Sequence, residues 1–215
     1  MHKHHLLISG TGRAGTTFLV QLLTELGLDT GFKNAADGVH PECNAGMEWS
    51  TEEVFKMRAP YVVKSPALSE DIKQILETPG LVIDSMIVPI RDLYAAAESR
   101  RSVARQAGNV KAAGALWLTK KPRDQETALA VQFHHLVNAL VEHDVPVIWL
   151  NFPRLVKDAD YLYSKLQPVL PGISSERFAQ AFRAVSRPEL VHQFTPSAPP
   201  AKRSWMKRMN FWLGM

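Results

Sequence analysis

Three closely spaced glycines, placed between an apolar run and a helical pattern, constrain this chain more than any other feature. Residues 5–9 (HLLIS) predict a buried strand, and residues 17–26 (TFLVQLLTEL) predict an amphipathic helix. Gly10, Gly12 and Gly15 lie between them. Glycines in such a turn let backbone N–H groups and the positive end of the helix dipole approach a ligand closely. The pattern therefore predicts a loop that binds an anion such as phosphate or sulfate.

The alternation of strands and helices continues to residue 186. Further strands are predicted at 61–64, within 81–90 and at 145–150, and further helices at 49–58, 68–77, 91–107, 123–143, 158–169 and 174–186. Strands separated by helices pair in parallel through right-handed crossovers. We therefore expect an α/β fold with three α/β/α layers around a central parallel sheet. Residues 1–194 would form this domain, followed by a basic and aromatic C-terminal tail at 195–215.

Composition places the chain among ordinary globular proteins. Of its 215 residues, 46% are hydrophobic and 21% are charged, which argues against a disordered or disulfide-rich chain. The single cysteine, Cys43, excludes an internal disulfide bond. There is no run of the ~20 apolar residues that a membrane span needs, and the first ten residues do not resemble a signal peptide. We therefore expect a cytoplasmic protein.

The positive charge of the chain is concentrated at its end. The formal net charge is +4, and residues 201–215 contain four basic residues and no acidic residue. The remainder is neutral, so we expect no binding to nucleic acid, and any site for a polyanion must be local. Aromatic and basic residues are interleaved in the tail, which allows a weak contact with a membrane surface.

Two other nucleotide-binding motifs partly match the glycine loop. The three glycines satisfy the dinucleotide motif G-x-G-x-x-G, and Asp29 lies near the acidic position expected ~20 residues downstream, although no apolar strand precedes it. Residues 10–17 also match G-x-x-x-x-G-K-[ST], except that Thr16 replaces the lysine. The run 81–84 (LVID) resembles an apolar strand that ends in a magnesium-binding aspartate, here Asp84. A dinucleotide oxidoreductase and an NTP-dependent P-loop kinase are therefore alternatives.

A second anion-binding pattern follows the strand within 81–90. Arg91 comes at the end of that strand, and Ser99 lies eight positions later on the next predicted helix. Eight residues are about two turns, so a regular helix returns Ser99 near the face of Arg91. An arginine fork and a hydroxyl together suit a phosphate group that an ordinary NTP lacks.

The two patterns together resemble sulfotransferases that use 3′-phosphoadenosine 5′-phosphosulfate (PAPS). GTGRAGTTFL resembles their 5′-phosphosulfate loop, in which a basic residue, a small residue, Gly and paired hydroxyls precede the first helix. MIVPIRDLYAAAESRRSV is similar to their 3′-phosphate site. The resemblance implies a P-loop NTPase-like (sulfotransferase) fold. It implies that PAPS is bound by Gly12, Arg13, Ala14, Gly15, Thr16, Thr17, Arg91 and Ser99.

Weaker matches extend the resemblance over most of the chain. YVVKSPAL is similar to a strand whose lysine, here Lys64, reaches the transferred group together with Arg13 of the loop. HPECNAGMEW is similar to an acceptor-side signature formed here by Asn44, Gly46 and Glu48. VPVIWLNFPRLVKDADYLYSKLQPVL is similar to the last strand and following helix of the family. The resemblance implies Glu48 as the catalytic base, with Glu42 and His40 in reserve.

The resemblance implies an enzyme of bacterial type that needs no metal. It would transfer the sulfuryl group of PAPS to a hydroxyl of a small molecule, sugar or lipid. A sulfotransferase-fold protein that binds the nucleotide without catalysis is a further alternative. The chain lacks the C-terminal Gly-x-x-Gly-x-x-Lys element of the animal cytosolic enzymes, so adenine contacts are not assigned. His2, His4 and His5 are expected to form an exposed start of the chain.

Overall fold

One parallel sheet forms the centre of the fold. The computed structural model describes residues 2–40 and 45–194. The strands in that part of the chain are β1 (Lys3–Ile8), β2 (Val39–His40), β3 (Ala45–Gly46), β4 (Val62–Lys64), β5 (Leu81–Ile90) and β6 (Val147–Asn151). Four of them pair in parallel in the order β4-β1-β5-β6, whereas β2 and β3 form a separate antiparallel hairpin. The expected parallel pairing is confirmed.

Helices cover both faces of the sheet. They are α1 (Thr16–Glu25), α2 (Thr51–Phe55), α3 (Leu68–Glu77), α4 (Leu93–Ala107), α5 (Gln125–Glu142), α6 (Ala159–Leu166) and α7 (Ser175–Val185). Leu6 and Ile8 share a core with α1, α6 and α7, whereas Leu7 shares a core with α3 and α5. Alternate side chains of a strand point to opposite faces, so the apolar run of β1 supplies two cores. The predicted α/β fold with a central parallel sheet flanked by helices is confirmed.

The start of α4 differs from the prediction in a way that matters for function. The helix predicted at 91–107 begins at Leu93 because Asp92 caps it, accepting a hydrogen bond at 2.8 Å from a backbone N–H of the first turn. Arg91 therefore lies in the short connection between β5 and α4. The side chain of a residue in such a connection can turn back over the end of the sheet.

Several predicted features lie outside the described residues, namely Glu42, Cys43, Asn44 and the tail at 195–215. In the part of the chain that the structure describes, no helix is long and apolar enough to cross a bilayer. The same part contains no group of three His, Cys, Asp or Glu side chains that could hold a metal ion.

His5 is buried, so the expectation of an exposed side chain was wrong. β1 is a central strand, and at His5 it lies between Ile83 of β5 and the residues just before β4. The His5 Nδ1–H donates to Pro60 O at 2.8 Å, and Nε2 has no partner among the described residues. Burial lowers the pKa of His5 below its ordinary value of 6.5, although the hydrogen bond to Pro60 opposes that change.

We expect the protein to lose stability as the pH falls below 6.5, because the unfolded chain takes up a proton at His5 that the folded protein resists. The pKa of His5 is lower in the folded protein than in the unfolded chain. The stabilisation is therefore complete at pH values above the unfolded pKa, and it is lost as the pH falls through the folded pKa. His5→Phe should flatten the dependence, whereas the exposed His4→Gln should keep it. Chemical denaturation on both sides of pH 6.5 measures the slope, and an unchanged slope in His5→Phe would contradict this account.

Candidate functional site

A cleft of about 970 Å³ opens at the carboxyl ends of β1, β4 and β5. Ligands of parallel α/β proteins bind at this edge of the sheet. The cleft brings together the glycine loop, Lys64 and the connection after β5, which are distant in sequence. Its side walls come from residues 111–117 and 184–192. Every predicted site residue of the described chain lines it except Ala14, whose methyl group is fully buried in the protein.

The glycine loop has the backbone of an anion-binding turn. Gly12, Arg13 and Gly15 have φ angles of 68°, 55° and 83°. The chain therefore turns through left-handed conformations just before α1. The helix begins at Thr16, and no side chain caps its first turn. The first N–H groups of α1 are thus available to a ligand, with the positive end of the helix dipole behind them.

Lys64, the last residue of β4, reaches the start of α1. Its Nζ donates to Thr17 Oγ1 at 3.3 Å, to Gly46 O at 2.7 Å and to Glu48 Oε1 at 2.7 Å. The Lys64 side chain is buried, whereas the Glu48 side chain is 40% exposed. The arrangement places an ammonium group beside the glycine loop and a carboxylate next to it on the open side of the cleft.

The β2–β3 hairpin sets the position of Glu48. A Cβ at Gly46 would lie 2.1 Å from Gly38 O, so only glycine allows the two strands to approach this closely. His40, one reserve for the base, lies on β2 and also lines the cleft. Glu42, the other reserve, lies outside the described residues.

Arg91 turns back from the β5–α4 connection onto the glycine loop. Its Nη1 donates to Arg13 O at 2.7 Å, and its Nη2 donates to His192 O at 2.6 Å. The guanidinium carbon lies 4.9 Å from the ring centre of Phe152 and 5.7 Å from that of Phe194. Burial, followed by the charge of Arg13, lowers the pKa of Arg91 to about 10, so the group stays charged at neutral pH.

Ser99 lies beside the same loop residue. Its Oγ accepts a hydrogen bond from Arg13 Nε at 3.2 Å. The backbone carbonyl of Arg13 is the group that Arg91 contacts. Arg13 therefore connects the glycine loop with two neighbouring side chains, Ser99 through its guanidinium and Arg91 through its carbonyl.

The sequence did not single out Arg100, which also belongs to the site. Arg100 is 6% exposed, and its two Nη groups donate to Ala115 O at 3.0 Å and to Thr11 O at 3.3 Å. Burial, followed by the charge of Arg13, lowers its pKa to about 10. An arginine in a charged helix has the pattern of a surface residue, and only the fold turns this one inward.

Basic side chains outnumber acidic ones around the cleft. Glu48 is the only acidic residue among its described lining residues, and the basic ones are Arg13, Lys64, Arg91, Arg100, Lys111 and Arg187. Neither Arg91 nor Arg100 forms an ion pair with a carboxylate in the described ranges. A partly enclosed cleft of one charge sign attracts ligands of the opposite sign. Residues 1–200 have no net formal charge, yet this cleft has a local excess of basic side chains.

A dinucleotide site would require Asp29, and a site for NTP with magnesium would require Asp84. Both residues lie away from the cleft, towards the amino ends of the strands. Asp29 accepts a hydrogen bond from the N–H of Tyr61 at 3.2 Å, just before β4 begins. Asp84 pairs with His4 Nδ1 at 2.7 Å near the start of β1. Asp84 lies six positions, about 20 Å along the strand, before Ile90 at the end of β5. Neither carboxylate reaches the glycine loop.

Comparison with protein-family models, with curated proteins and with solved structures finds no match to this chain. The membership of a sulfotransferase family therefore stays a prediction from the motifs. The function has to be inferred from the residues that the cleft brings together.

Proposed function

We propose that this protein is a PAPS-dependent sulfotransferase that transfers a sulfuryl group to an acceptor hydroxyl. The observation that carries the proposal is the presence of two groups of basic and hydroxyl side chains in one cleft. Arg13, Lys64 and the N–H groups of the loop form one, and Arg91 with Ser99 forms the other. A nucleotide with anionic groups at both its 5′ and 3′ positions suits two such clusters.

A buried hydroxyl beside the loop suits such a nucleotide. Ser9 lines the cleft, and its Oγ is buried and has no hydrogen-bond partner in the described part of the chain. Buried hydroxyls without partners cost free energy that a polar ligand can recover. The excess of basic over acidic residues favours a ligand with several negative charges. The 5′-phosphosulfate would lie against the loop, and the 3′-phosphate against Arg91 and Ser99.

The chain supplies a base and a positively charged group on the same side of the loop. PAPS, when bound, supplies a sulfuryl group activated by its bond to the 5′-phosphate. Glu48 would take the proton of the acceptor hydroxyl, whose oxygen forms the new bond to sulfur. Lys64 and the N–H groups of α1 would stabilise the charge left on the 5′-phosphate as the old S–O bond breaks. The 2.7 Å contact between Lys64 and Glu48 keeps the two roles adjacent.

The geometry favours sulfuryl transfer over magnesium-dependent phosphoryl transfer. Thr16 occupies the position of the P-loop lysine, and Asp84 lies in the first half of β5, contacts His4 and does not line the cleft. Lys64 brings a positive charge to the loop from a neighbouring strand instead. The migrating sulfuryl group carries fewer negative charges than a phosphoryl group, so these residues can act without a metal ion.

Arg91→Lys is expected to weaken binding of adenosine 3′,5′-bisphosphate by about 10- to 100-fold, because lysine keeps the charge but loses the planar fork of donors. Adenosine 5′-phosphate, which lacks the 3′-phosphate, should lose much less affinity. Ser99→Ala should show the same selectivity with a smaller loss of about fivefold. Isothermal titration calorimetry with both nucleotides measures the two ratios.

Arg101→Lys is the matched control for this experiment. Arg101 lies on the same helix and pairs with Glu98 at 3.1 Å and Glu126 at 2.8 Å outside the cleft. Its substitution should leave both affinities unchanged. Equal losses for the two nucleotides in Arg91→Lys would show that Arg91 only shapes the loop and would remove the 3′-phosphate assignment.

A further inference from the structure

Arg100 is a buried cation that the proposed reaction does not use. Arg100 donates hydrogen bonds to Thr11 O and Ala115 O, and neither of these carbonyl groups carries a formal charge. Its Nε is buried and has no hydrogen-bond partner among the described residues. A buried charge without an anion is unfavourable, and arginine forks pair best with oxyanions. Arg100 therefore has the properties of a binding group for an anion that arrives with a ligand.

The loop is shaped to leave room for this guanidinium. A Cβ at Gly12 would lie 2.2 Å from Arg100 Nη2, so the glycine at this position allows the arginine to pass directly under the loop. Gly12 and Arg100 both line the cleft. The side chain thus lies at the floor of the cleft with its Nε side unoccupied by protein donors or acceptors.

A second unpaired donor lies in the adjacent wall. Trp117 Nε1 is buried and has no partner in the described chain. The backbone of Trp117 is fixed, because its N–H donates to Gln125 Oε1 at 2.8 Å and its carbonyl accepts from Gln125 Nε2 at 3.0 Å. Arg100 Nη1 contacts Ala115, two residues before Trp117. Arg100 therefore adjoins the wall that contains Trp117, in which residues 112–115 are only alanine and glycine.

Arg100 and Arg91 contact different walls of the cleft. Arg100 Nη1 donates to Ala115 O at 3.0 Å, within the wall of residues 111–117. Arg91 is covered by Phe152, Phe194 and the carbonyl of His192, on the opposite wall. The two arginines therefore serve different parts of the cleft.

We propose that Arg100 and the indole N–H of Trp117 bind an anionic group of the acceptor, so that the substrates are hydroxyl compounds that carry a carboxylate, sulfate or phosphate. This inference rests on the proposed function, because it assigns the nucleotide to the loop, Arg91 and Ser99. The anionic group would hold the acceptor against the wall of residues 111–117 while its hydroxyl faces Glu48. Neutral and cationic hydroxyl compounds would lack this contact.

The test is a calorimetric titration of the full chain, saturated with adenosine 3′,5′-bisphosphate, with sodium sulfate at constant ionic strength. We expect one sulfate to bind with a millimolar dissociation constant. Arg100→Gln should weaken it at least tenfold, and Trp117→Phe should weaken it severalfold because the ring stays but the donor is lost. Arg101→Gln should leave it unchanged. If Arg100→Gln fails to fold, the effect of Trp117→Phe on sulfate binding still tests the inference, because it changes a different side chain.

Lys64→Gln shows which position the sulfate occupies. Sulfate binding that survives in Lys64→Gln and fails in Arg100→Gln supports the inference. The reverse result would place the sulfate where the transferred group lies and would overturn it, as would the absence of sulfate binding to the wild-type complex. A wild-type protein that does not bind the bisphosphate contradicts the proposed function, whereas one that binds the bisphosphate but not sulfate contradicts this inference alone.

Discussion

Lys64→Gln is expected to lower the turnover number for sulfuryl transfer by about 10²- to 10³-fold. Lys64 Nζ lies 3.3 Å from Thr17 Oγ1 at the start of α1, where the proposed 5′-phosphate gains charge as its bond to sulfur breaks. Glutamine keeps much of the side-chain length but has no charge to stabilise that oxygen. The rate of adenosine 3′,5′-bisphosphate release from PAPS, with an acceptor that the wild type sulfates, measures the effect.

Lys56→Gln provides the control for this substitution. Lys56 also pairs with a glutamate, Glu52, but on the exposed surface of α2 and its end. Its replacement should leave the turnover number unchanged, because surface ion pairs of this kind contribute little. A Lys64→Gln protein that binds the bisphosphate and turns over like Lys56→Gln would remove Lys64 from the catalytic machinery.

Glu48→Gln is expected to lower the turnover number by about 10²- to 10⁴-fold. The amide cannot accept the proton of the acceptor hydroxyl, yet it keeps the shape of the side chain and a carbonyl oxygen for the 2.7 Å contact with Lys64. Binding of adenosine 3′,5′-bisphosphate should therefore change little. The two measurements together separate a catalytic role from a role in holding the site together.

Glu52→Gln on α2 is the matched acidic control, because that carboxylate pairs with a lysine away from the cleft. We expect its activity to equal that of the wild type. Full activity of Glu48→Gln on a genuine acceptor would reject Glu48 as the base and leave His40, which lines the same cleft, as the described candidate.

The strands and helices of this fold could be predicted because their hydrophobic patterns are local. The apolar run of β1 and the helical period of α1 both depend on neighbours within a few positions. The helical period of α4 is likewise local, although the helix begins at Leu93 and leaves Arg91 outside it. These are features that a stretch of chain carries by itself.

Other parts of the site depend on which elements the fold places side by side. Nothing near Arg100 in the sequence indicates that α4 turns it under the glycine loop. The same holds for His192 and Phe194, which cover Arg91 from a segment without a recognisable motif. Residues within 184–192 therefore form a wall of the cleft that no sequence motif predicts.

A sequence pattern also does not show at which end of the sheet a residue lies. Asp84 follows three apolar residues, as a magnesium-binding aspartate would, but β5 continues for six more residues to Ile90. The extra length moves Asp84 to the end of the sheet opposite the glycine loop. His5 shows the same limit, since its burial results from the central place of β1 and not from its neighbours in sequence.

Calorimetric titration of the purified protein with adenosine 3′,5′-bisphosphate in the presence of a metal chelator tests the central claim most directly. ATP with magnesium and NAD, each titrated separately, are the controls. We expect tight binding of the bisphosphate without metal, and weak or no binding of the two controls. Absence of bisphosphate binding, or a preference for ATP with magnesium, would contradict the assignment of the loop, Arg91 and Ser99 to a PAPS site.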